Sequence, residues 1–464
     1  MVAGVLPTRP ARPQNRGMAA PLPLAPDSAD PTFTELLAAR PALSMHAHDG
    51  LLMDEVPLAR IAAEFGTPTW VYSAGTLRRR YRALKAALDA AGLDASIHYA
   101  TKANDNQAVL RVLRAEGAGA DIVSAGELRA TMAAGIPAGV TVFSGVGKTP
   151  GEIRFALEAG IFQINAESAE EIEVISAIAA GLGLRAPVSL RVNPDVDART
   201  HAKITTGRAE NKFGIAFEDA HALYARMAAL PGIRPIGIAT HIGSQITDGM
   251  SAYRAAYARL AEMVRGLRAH GLPVERVDCG GGLGIPYRDE IAPTPEALAG
   301  AIKATLGGLG VPVMLEPGRW LVGPAGVLLS AVVLQKQGAA RRFLVLDAAM
   351  NDLVRPAMYE AWHGILPVSP LAHVAPLSPA DVVGPVCESG DTFAKGRVLP
   401  AMAPGDLVAF LDAGAYGAVM SSTYNARPLA AEVLVDGARA ALVRVRQTHE
   451  DLLAHQRLPE WFTP

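Results

Sequence analysis

From about Ser96 onward, hydrophobic positions along the chain alternate between two periods. Short apolar runs rich in β-branched and aromatic residues, typical of buried strands, are followed by stretches with apolar residues at helical spacing. The predicted strands are Ile97–Thr101, Ala120–Val123, Thr141–Ser144, Phe162–Asn165, Val188–Val192, Ile236–His241, Val277–Cys279 and Val313–Glu316. The helical stretches between them include Ala125–Ala134, Pro150–Ala159, Ala169–Ala180 and Tyr253–His270. Eight such units over about 220 residues predict a parallel (β/α)8 barrel.

After Pro317 the pattern changes to strands separated by Gly, Pro and Asp turns, which predicts a second, mainly antiparallel β domain of the β-barrel or Greek-key type. Its predicted strands are Val327–Leu334, Arg342–Asp347, Val408–Leu411, Glu432–Val435 and Ala441–Val445. The apolar run Thr69–Tyr72, which precedes a predicted helix from Ala74 to Leu88, is expected to join this domain. We therefore expect residues 74–319 to form the barrel, and residues 40–73 and 320–464 to form the β domain.

Residues 1–39 are rich in Pro, Ala and Arg and have no acidic residue before Asp27. Without sustained periodicity, this composition predicts a disordered N-terminal extension. The lack of acidic residues is also a feature of transit peptides. The alternative is an extension produced by an early start codon, with Met18 or Met45 as later possible starts.

Overall charge and hydropathy exclude several classes of protein. A formal net charge of −2 and a pI near 6.6 provide no general attraction for nucleic acid or anionic membranes. No apolar run reaches the roughly 18–20 residues that a membrane-spanning helix needs. The two cysteines, Cys279 and Cys387, cannot form a disulfide framework. We expect a soluble cytoplasmic protein without a metal site.

Lys102 stands where the first predicted barrel strand ends and the next helix begins. Catalytic groups of such barrels gather at the carboxyl ends of the strands. An amine placed there among apolar neighbours is expected to be desolvated, with a lowered pKa, and able to condense with an aldehyde as a Schiff base. The alternative is a surface lysine in a turn.

Other strand ends carry further polar groups, each with a structural alternative. The glycines 280–282 can expose backbone N–H groups to a phosphate or merely form a tight turn, and Ser244 can add a hydroxyl donor. His241 can stack on a flat cofactor or be a satisfied core histidine. Glu316 can hold a proton on a pyridine nitrogen or simply pair with Arg319. Taken together with Lys102, these groups match what pyridoxal 5'-phosphate requires.

Several longer motifs, spread from about Thr69 to about Val445, carry a family resemblance. They are Tyr99–Asn104 (YATKAN), His241–Gln245 (HIGSQ), Glu316–Arg319 (EPGR), Gly384–Asp391 (GPVCESGD), Asp412–Gly417 (DAGAYG) and Tyr424–Pro428 (YNARP). In these motifs the chain resembles the fold-type III pyridoxal-phosphate-dependent decarboxylases, and within them the branch that acts on meso-diaminopimelate.

This resemblance implies a role for each matching residue. Lys102 would hold the cofactor covalently, His241 would stack on its ring, and Cys387 would protonate the carbanion left after carbon dioxide departs. Tyr416 would contact both cofactor and substrate. The remaining residues that would surround the cofactor or its phosphate are Ser244, Gly280, Gly281, Gly282, Glu316, Pro317, Gly318 and Arg319. The family assembles its active site across a homodimer, in which the segment with Cys387 and Glu388 reaches the partner's barrel.

The charges expected around the far end of the substrate favour diaminopimelate. Arg319, Arg355 and Tyr359 are donors suited to a carboxylate, and Glu388 supplies the opposite charge. Burying arginines beside ornithine or lysine, which have no distal carboxylate, would be costly. The expected reaction is decarboxylation of meso-2,6-diaminopimelate to L-lysine and carbon dioxide, the last step of lysine biosynthesis.

Two other functions stay open from the residues alone. One is a related decarboxylase acting on another amino acid or on a carboxylated polyamine such as carboxynorspermidine. The other is a non-catalytic pyridoxal-phosphate carrier, which needs neither Cys387 nor a long C-terminal β domain. Cys279 is expected to be a small buried hydrophobe. Ala349 stands where the family motif has glycine, which matters only if that residue needs a positive φ.

Overall fold

The computed structural model describes residues 30–197 and 213–462, which begin with a short helix and a small antiparallel sheet. The helix is α1 (Phe33–Ala38), and α2 (Leu58–Phe65) follows the sheet. The three strands of the sheet are β1 (Leu43–His46), β2 (Gly50–Met53) and β3 (Val56–Pro57).

Helix α1 lies inside the segment 1–39 that the sequence predicts to be disordered, so that prediction is wrong for residues 33–38. The Thr32 side chain accepts the N–H of Glu35, and the Glu35 carboxylate accepts the N–H of Thr32 at 2.7 Å. This reciprocal cap satisfies two otherwise unpaired donors, while Leu36 is buried. Six residues are too few to show a periodic pattern. Residues 1–29 lie outside the described residues.

Eight parallel strands close into a barrel, as the sequence predicts. Strand β13 pairs with β5, and β8 pairs with β9, which completes the ring. A two-residue strand, β10, adds to β9 outside the ring. The strands are β5 (Ala95–Ala100), β6 (Gly119–Ile122), β7 (Thr141–Phe143), β8 (Gln163–Ala166), β9 (Ala186–Asn193), β10 (Ile215–Ala216), β11 (Ile233–Ala239), β12 (Arg276–Asp278) and β13 (Val313–Leu315).

Helices alternate with the barrel strands, and six of them begin at a Ser, Thr or Asn whose side chain accepts a backbone N–H of the first turn. The helices are α3 (Ala74–Ala90), α4 (Gln107–Ala115), α5 (Ala125–Ala133), α6 (Pro150–Glu158), α7 (Ala169–Gly181), α8 (Phe217–Ala229), α9 (Ser251–Ala269), α10 (Pro295–Leu306) and α11 (Arg319–Val322). Among the described residues, none of the helices has the length and apolar content needed to span a bilayer.

A second sheet follows the barrel and is mainly antiparallel. Its order is β18-β17-β15-β14-β4-β20-β21, with β19 paired to β14 and β16. Only the pairs β15–β17 and β20–β4 are parallel among the described strands of this sheet. The strands are β4 (Thr69–Ser73), β14 (Gly326–Gln337), β15 (Arg342–Leu346), β16 (Ile365–Pro367), β17 (Leu377–Val383), β18 (Thr392–Pro400), β19 (Leu407–Phe410), β20 (Ala431–Asp436) and β21 (Arg439–Arg444). Two short helices, α12 (Arg355–Tyr359) and α13 (His449–Leu453), accompany them.

Strand β4 occupies a central position in this sheet although it precedes the barrel in the chain. All five of its residues are buried, and it lies between β14 and β20. The end of the N-terminal segment is therefore built into the second sheet, whereas β1–β3 form a sheet of their own. The barrel and the second sheet belong to the same compact unit.

A buried ion pair joins the N-terminal segment to the loop after β19. Arg40 Nε donates to Asp412 Oδ2 at 2.8 Å, with both side chains less than 8% exposed. We expect Arg40→Ala to lower the free energy of unfolding by about 3–5 kcal/mol, because the Asp412 carboxylate would remain buried without this partner. Urea unfolding measures this effect. Arg60→Ala, which removes an exposed pair with Glu64, is the control and should change stability by at most about 1 kcal/mol.

Candidate active site

Lys102 lies in a single 3-10 turn, Thr101–Ala103, at the carboxyl end of β5. Its Nζ donates to Asp121 Oδ2 on β6 at 2.8 Å. Burial lowers the pKa of Lys102 and is the largest single effect, but the electrostatic effects of Asp121, Tyr416 and Glu316 and the hydrogen bond to Asp121 together outweigh it, so the pKa lies above its ordinary value. The expected lowering of this pKa is therefore wrong for the structure. The amine must lose a proton before it can condense with an aldehyde.

Asp121 is a site residue that the sequence analysis missed. It is fully buried, and its Oδ1 has no hydrogen-bond partner among the described residues. The available signal was an ionisable residue inside the apolar strand β6, because burying a carboxylate is costly unless it is paired. An acidic residue in a predicted barrel strand next to the lysine strand could have been assigned to Lys102 on that ground.

Glu316 follows β13 directly and is buried. Its Oε1 lies 3.3 Å from Ser144 Oγ and 3.4 Å from Asn165 Nδ2. Burial raises the pKa of Glu316 well above its usual value, and the nearby carboxylates Asp121 and Asp278 raise it further. A carboxyl group that tends to keep a proton in this way is suited to sharing that proton with a ring nitrogen.

His241 follows β11 at the same rim of the barrel. The backbone N–H of Gly281 donates to its Nδ1 at 3.1 Å. Burial lowers the pKa of His241 well below its usual value, and the positive charges of Arg191 and Lys102 act in the same direction. The ring is therefore neutral, and this hydrogen bond orients a flat surface beside Lys102.

The glycine turn after β12 approaches the neighbouring strand ends closely. A Cβ on Gly280, Gly281 or Gly282 would lie 2.2, 2.2 or 2.4 Å from a backbone oxygen of another segment. Real Cβ atoms do not approach so closely, so only glycine fits at these three positions. Among the described residues, the N–H of Gly282 has no acceptor, which leaves it available to an anion.

Arg319 and Arg355 form a buried positive pair around one tyrosine. Arg319 donates through Nη1 to the Tyr287 hydroxyl at 2.8 Å and through Nη2 to Ser244 Oγ at 3.2 Å. Arg355 Nη1 also donates to the Tyr287 hydroxyl. Within the described part of the chain, neither guanidinium has a carboxylate at ion-pair distance, and Arg319 Nε has no acceptor. Two buried cations without a counter-charge favour an anionic ligand. The alternative pairing of Glu316 with Arg319 is not found.

Tyr287 is the second residue that the sequence analysis missed. It stands five residues after Gly282 in the same loop. This proximity to the glycine turn was the only available signal, because the contacts with both arginines depend on the tertiary structure.

The second sheet contributes Tyr416 and Tyr359 to this region. Tyr416 has a positive φ of 54° and donates its N–H to the carbonyl of Ala103, next to Lys102, at 2.8 Å. The Arg319 guanidinium carbon lies 4.7 Å from the centre of the Tyr416 ring. Tyr359 ends α12, the short helix that Arg355 begins.

Cys387 and Glu388 lie on the exposed connection between β17 and β18. The N–H of Cys387 donates to Asn425 Oδ1 at 2.8 Å, and the N–H of Gly390 donates to Glu388 Oε1 at 3.2 Å. Within the described residues of one chain, neither side chain has a hydrogen bond or ion pair to Lys102, Glu316 or Arg319.

Cys279 and Ala349, to which the sequence assigns no part in the chemistry, both fit their surroundings. Cys279 is buried, and burial raises the pKa of its thiol well above the usual value. Ala349 is not among the residues with a positive φ, so alanine in place of glycine causes no backbone strain there.

The observed groups fit pyridoxal phosphate. The carboxyl end of the barrel combines the Lys102 amine, the buried Glu316 carboxyl group with its raised pKa and the neutral His241 imidazole. It also presents a backbone N–H and a buried guanidinium N–H that lack acceptors. These are groups that can bind the aldehyde, the pyridine nitrogen, the ring face and the phosphate of this cofactor.

Comparisons with known proteins agree with this chemistry. Residues 74–323 match the family model described as pyridoxal-dependent decarboxylase, pyridoxal binding domain. The diaminopimelate decarboxylase of Zymomonas mobilis is 50% identical over 89% of this chain and 97% of that protein. The enzyme of the same name from Pseudomonas aeruginosa is 50% identical over 88% of this chain and 97% of its own length.

A solved structure extends the similarity to the fold. The crystal structure of diaminopimelate decarboxylase from Helicobacter pylori complexed with L-lysine matches with a TM-score of 0.82 and 37% identity. The match covers 86% of this chain and 98% of that one. On this evidence, the chain belongs to the diaminopimelate decarboxylase family of pyridoxal-dependent decarboxylases.

Proposed function

We propose that this protein uses pyridoxal 5'-phosphate to convert meso-2,6-diaminopimelate to L-lysine and carbon dioxide, the last step of lysine biosynthesis. The observation that carries the proposal is the buried pair Arg319 and Arg355, which has no counter-charge at ion-pair distance in the described structure. Arg319 follows β13, at the end of the barrel that carries Lys102, and Arg355 reaches it from α12 through the shared Tyr287 hydroxyl. Family membership supports the same reaction.

The residues around Lys102 prepare the decarboxylation. Lys102 would hold the cofactor covalently, the neutral His241 ring would support its ring, and Glu316 would hold a proton at its pyridine nitrogen. When bound, the cofactor supplies an electron-accepting ring for the electron pair left at Cα as carbon dioxide departs. The Gly282 N–H, Ser244 and Arg319 hold the anionic groups of cofactor and substrate in place.

Selectivity for the substrate follows from charge at its far end. Arg319, Arg355 and Tyr359 bind the distal carboxylate, where guanidinium groups are effective because they can donate two parallel hydrogen bonds. Tyr416 contacts both cofactor and substrate. Glu388 binds the distal ammonium group. Ornithine and lysine have no distal carboxylate and would leave the arginines buried without a counter-charge.

The position of Cys387 suggests a second copy of the chain. Cys387 and Glu388 are exposed and have no hydrogen bond or ion pair to the Lys102 rim within their own described chain. We infer a cytoplasmic homodimer in which this segment enters the active site of the other copy. There Cys387 would donate a proton to Cα after carbon dioxide has left.

Turnover by the purified protein tests the proposal. The protein with added pyridoxal phosphate is offered meso-diaminopimelate, ornithine, lysine and arginine separately, and carbon dioxide and amine products are measured. Turnover of diaminopimelate alone is the expected result. Turnover of a different amino acid or of carboxynorspermidine would replace the substrate, whereas a cofactor absorbance band without turnover would favour a carrier.

Arg355→Ala tests the distal part of the site. We expect KM for diaminopimelate to rise about 10- to 100-fold, because a hydrogen bond to a charged group contributes about 1.5–3 kcal/mol. Steady-state kinetics measures this change. Arg154→Ala, which removes an exposed arginine on α6, is the control and should leave KM unchanged. An Arg355 variant with wild-type kinetics would contradict the substrate assignment.

A further inference from the structure

We propose that Tyr287 is a positioning residue that fixes the distance between the Arg319 and Arg355 guanidinium groups. Its own O–H adds a further donor to the site that binds the distal carboxylate of the substrate. The inference deepens the proposed function and rests on it, because the anion in question is the distal carboxylate of the substrate.

The phenol oxygen of Tyr287 accepts one hydrogen bond from each arginine. A tyrosine hydroxyl has two acceptor lone pairs and one donor hydrogen. The two guanidinium groups use the acceptor capacity, so the O–H hydrogen is left to donate. Among the described residues, this hydroxyl donates to no acceptor. The same oxygen therefore anchors two cations and offers a third donor beside them.

Tyr287 is held independently of the two arginines. Its backbone N–H donates to the Glu290 carboxylate at 2.9 Å, and its carbonyl accepts from Arg40 Nη2 at 3.1 Å. The ring is buried and meets the ring of His363 edge-on, with centres 5.2 Å apart. His363 is in turn bound through Nδ1 to the carbonyl of Leu411 at 2.7 Å. The loop after β12 and the second sheet thus fix the phenol, and the phenol can orient the guanidinium groups.

Between Arg319 and Arg355, the neutral phenol of Tyr287 has an electrostatic advantage over a carboxylate. Arg319 and Arg355 repel each other, and both are buried. An aspartate or glutamate between them would neutralise the pair and compete with the ligand. A phenol satisfies one N–H of each guanidinium without supplying a full negative charge. The net positive charge of the pair therefore remains available for the substrate carboxylate.

Tyr287→Phe in the holoenzyme tests this role. We expect KM for diaminopimelate to rise about tenfold or more, with a much smaller change in kcat, since a hydrogen bond to a charged group is lost from binding. The dissociation constant of L-lysine, which retains a carboxylate, should rise by a similar factor. That of cadaverine, which has none, should not change. Both constants are read from the absorbance of the bound cofactor, so they do not depend on turnover.

A matched control and a second variant keep the result interpretable. Tyr224→Phe removes another buried hydroxyl, which donates to the carbonyl of Pro273, and should leave all these constants unchanged. Tyr287→His, whose ring nitrogen can still accept one N–H, should show an intermediate effect and replaces the phenylalanine variant if that protein does not fold. In the double variant Tyr287→Phe/Arg355→Ala, the rise in KM should be smaller than the product of the rises in the two single variants, because both substitutions remove the same contact.

The outcomes separate this proposal from the proposed function. Equal weakening of L-lysine and cadaverine, or no weakening of either, would overturn the role of Tyr287 even if the wild-type protein decarboxylates diaminopimelate. Wild-type protein that leaves diaminopimelate intact would overturn the proposed function. In that case, selective weakening of L-lysine by Tyr287→Phe would still assign Tyr287 to a carboxylate site.

Discussion

Replacing Lys102 by alanine is expected to abolish carbon dioxide release from meso-diaminopimelate and the visible absorbance of covalently bound cofactor. Of the two lysines that form ion pairs near the ends of the described barrel strands, Lys102 contacts the fully buried Asp121, whereas Lys148 pairs with the partly exposed Glu171. Without the Lys102 amine, the aldehyde of the cofactor has no partner in this place. Absorbance spectra and a carbon dioxide assay on the same sample measure both losses.

Because Lys102→Ala also removes the cation that Asp121 contacts, a loss of protein stability must be distinguished from a loss of the catalytic amine. Lys102→Arg keeps a positive charge beside Asp121 but cannot form a Schiff base. We expect it to be inactive as well, with a thermal unfolding temperature nearer that of the wild type. Lys303→Ala, at an exposed lysine on α10, is the control and should retain both signals. Activity in Lys102→Arg would remove Lys102 from its covalent role.

Cys387→Ala is expected to lower kcat about 10²- to 10⁴-fold, the usual contribution of a positioned proton donor. The cofactor absorbance should be unchanged, because Cys387 has no described hydrogen bond to Lys102, Glu316 or Arg319. Single-turnover kinetics with meso-diaminopimelate measures the effect. Cys279→Ala, at the buried cysteine before the glycine turn, is the control and should retain turnover. Unchanged turnover in Cys387→Ala would return the carrier to consideration.

Mixing subunits tests where Cys387 acts. Two inactive variants, Lys102→Ala and Cys387→Ala, are co-expressed and purified as one population. If each active site takes Lys102 from one copy and Cys387 from the other, random pairing should restore about a quarter of wild-type activity, through mixed dimers with one intact site. Absence of any recovery in verified mixed dimers would place both residues in the same chain's site and contradict the shared arrangement.

Secondary structure was predictable where local pattern and burial agree. All eight barrel strands were predicted because each is a short, largely buried run that alternates with a helical stretch. Strands β17 and β18 escaped prediction because β17 begins with the exposed residues Leu377, Ser378 and Pro379, and β18 contains Gly396 among charged residues. Such strands are defined by their pairing with neighbours rather than by their own composition.

The chemistry of the site was only partly accessible from local sequence. Position at a strand end identified Lys102, His241, Glu316 and Arg319, because parallel strands place their carboxyl ends on one rim. The raised pKa of Lys102 was not accessible, since it depends on the contact with Asp121 across two strands.

The order of the barrel strands and helices, and the set of residue types at the strand ends, follow from the sequence alone because they depend on neighbours within a few positions along the chain. The raised pKa of Lys102 and the shared hydroxyl of Tyr287 between Arg319 and Arg355 do not. They arise from pairs separated by 19, 32 and 68 positions. Charge and hydrogen bonding act over a few ångströms in space, and no local pattern specifies which distant residues the folded chain brings that close.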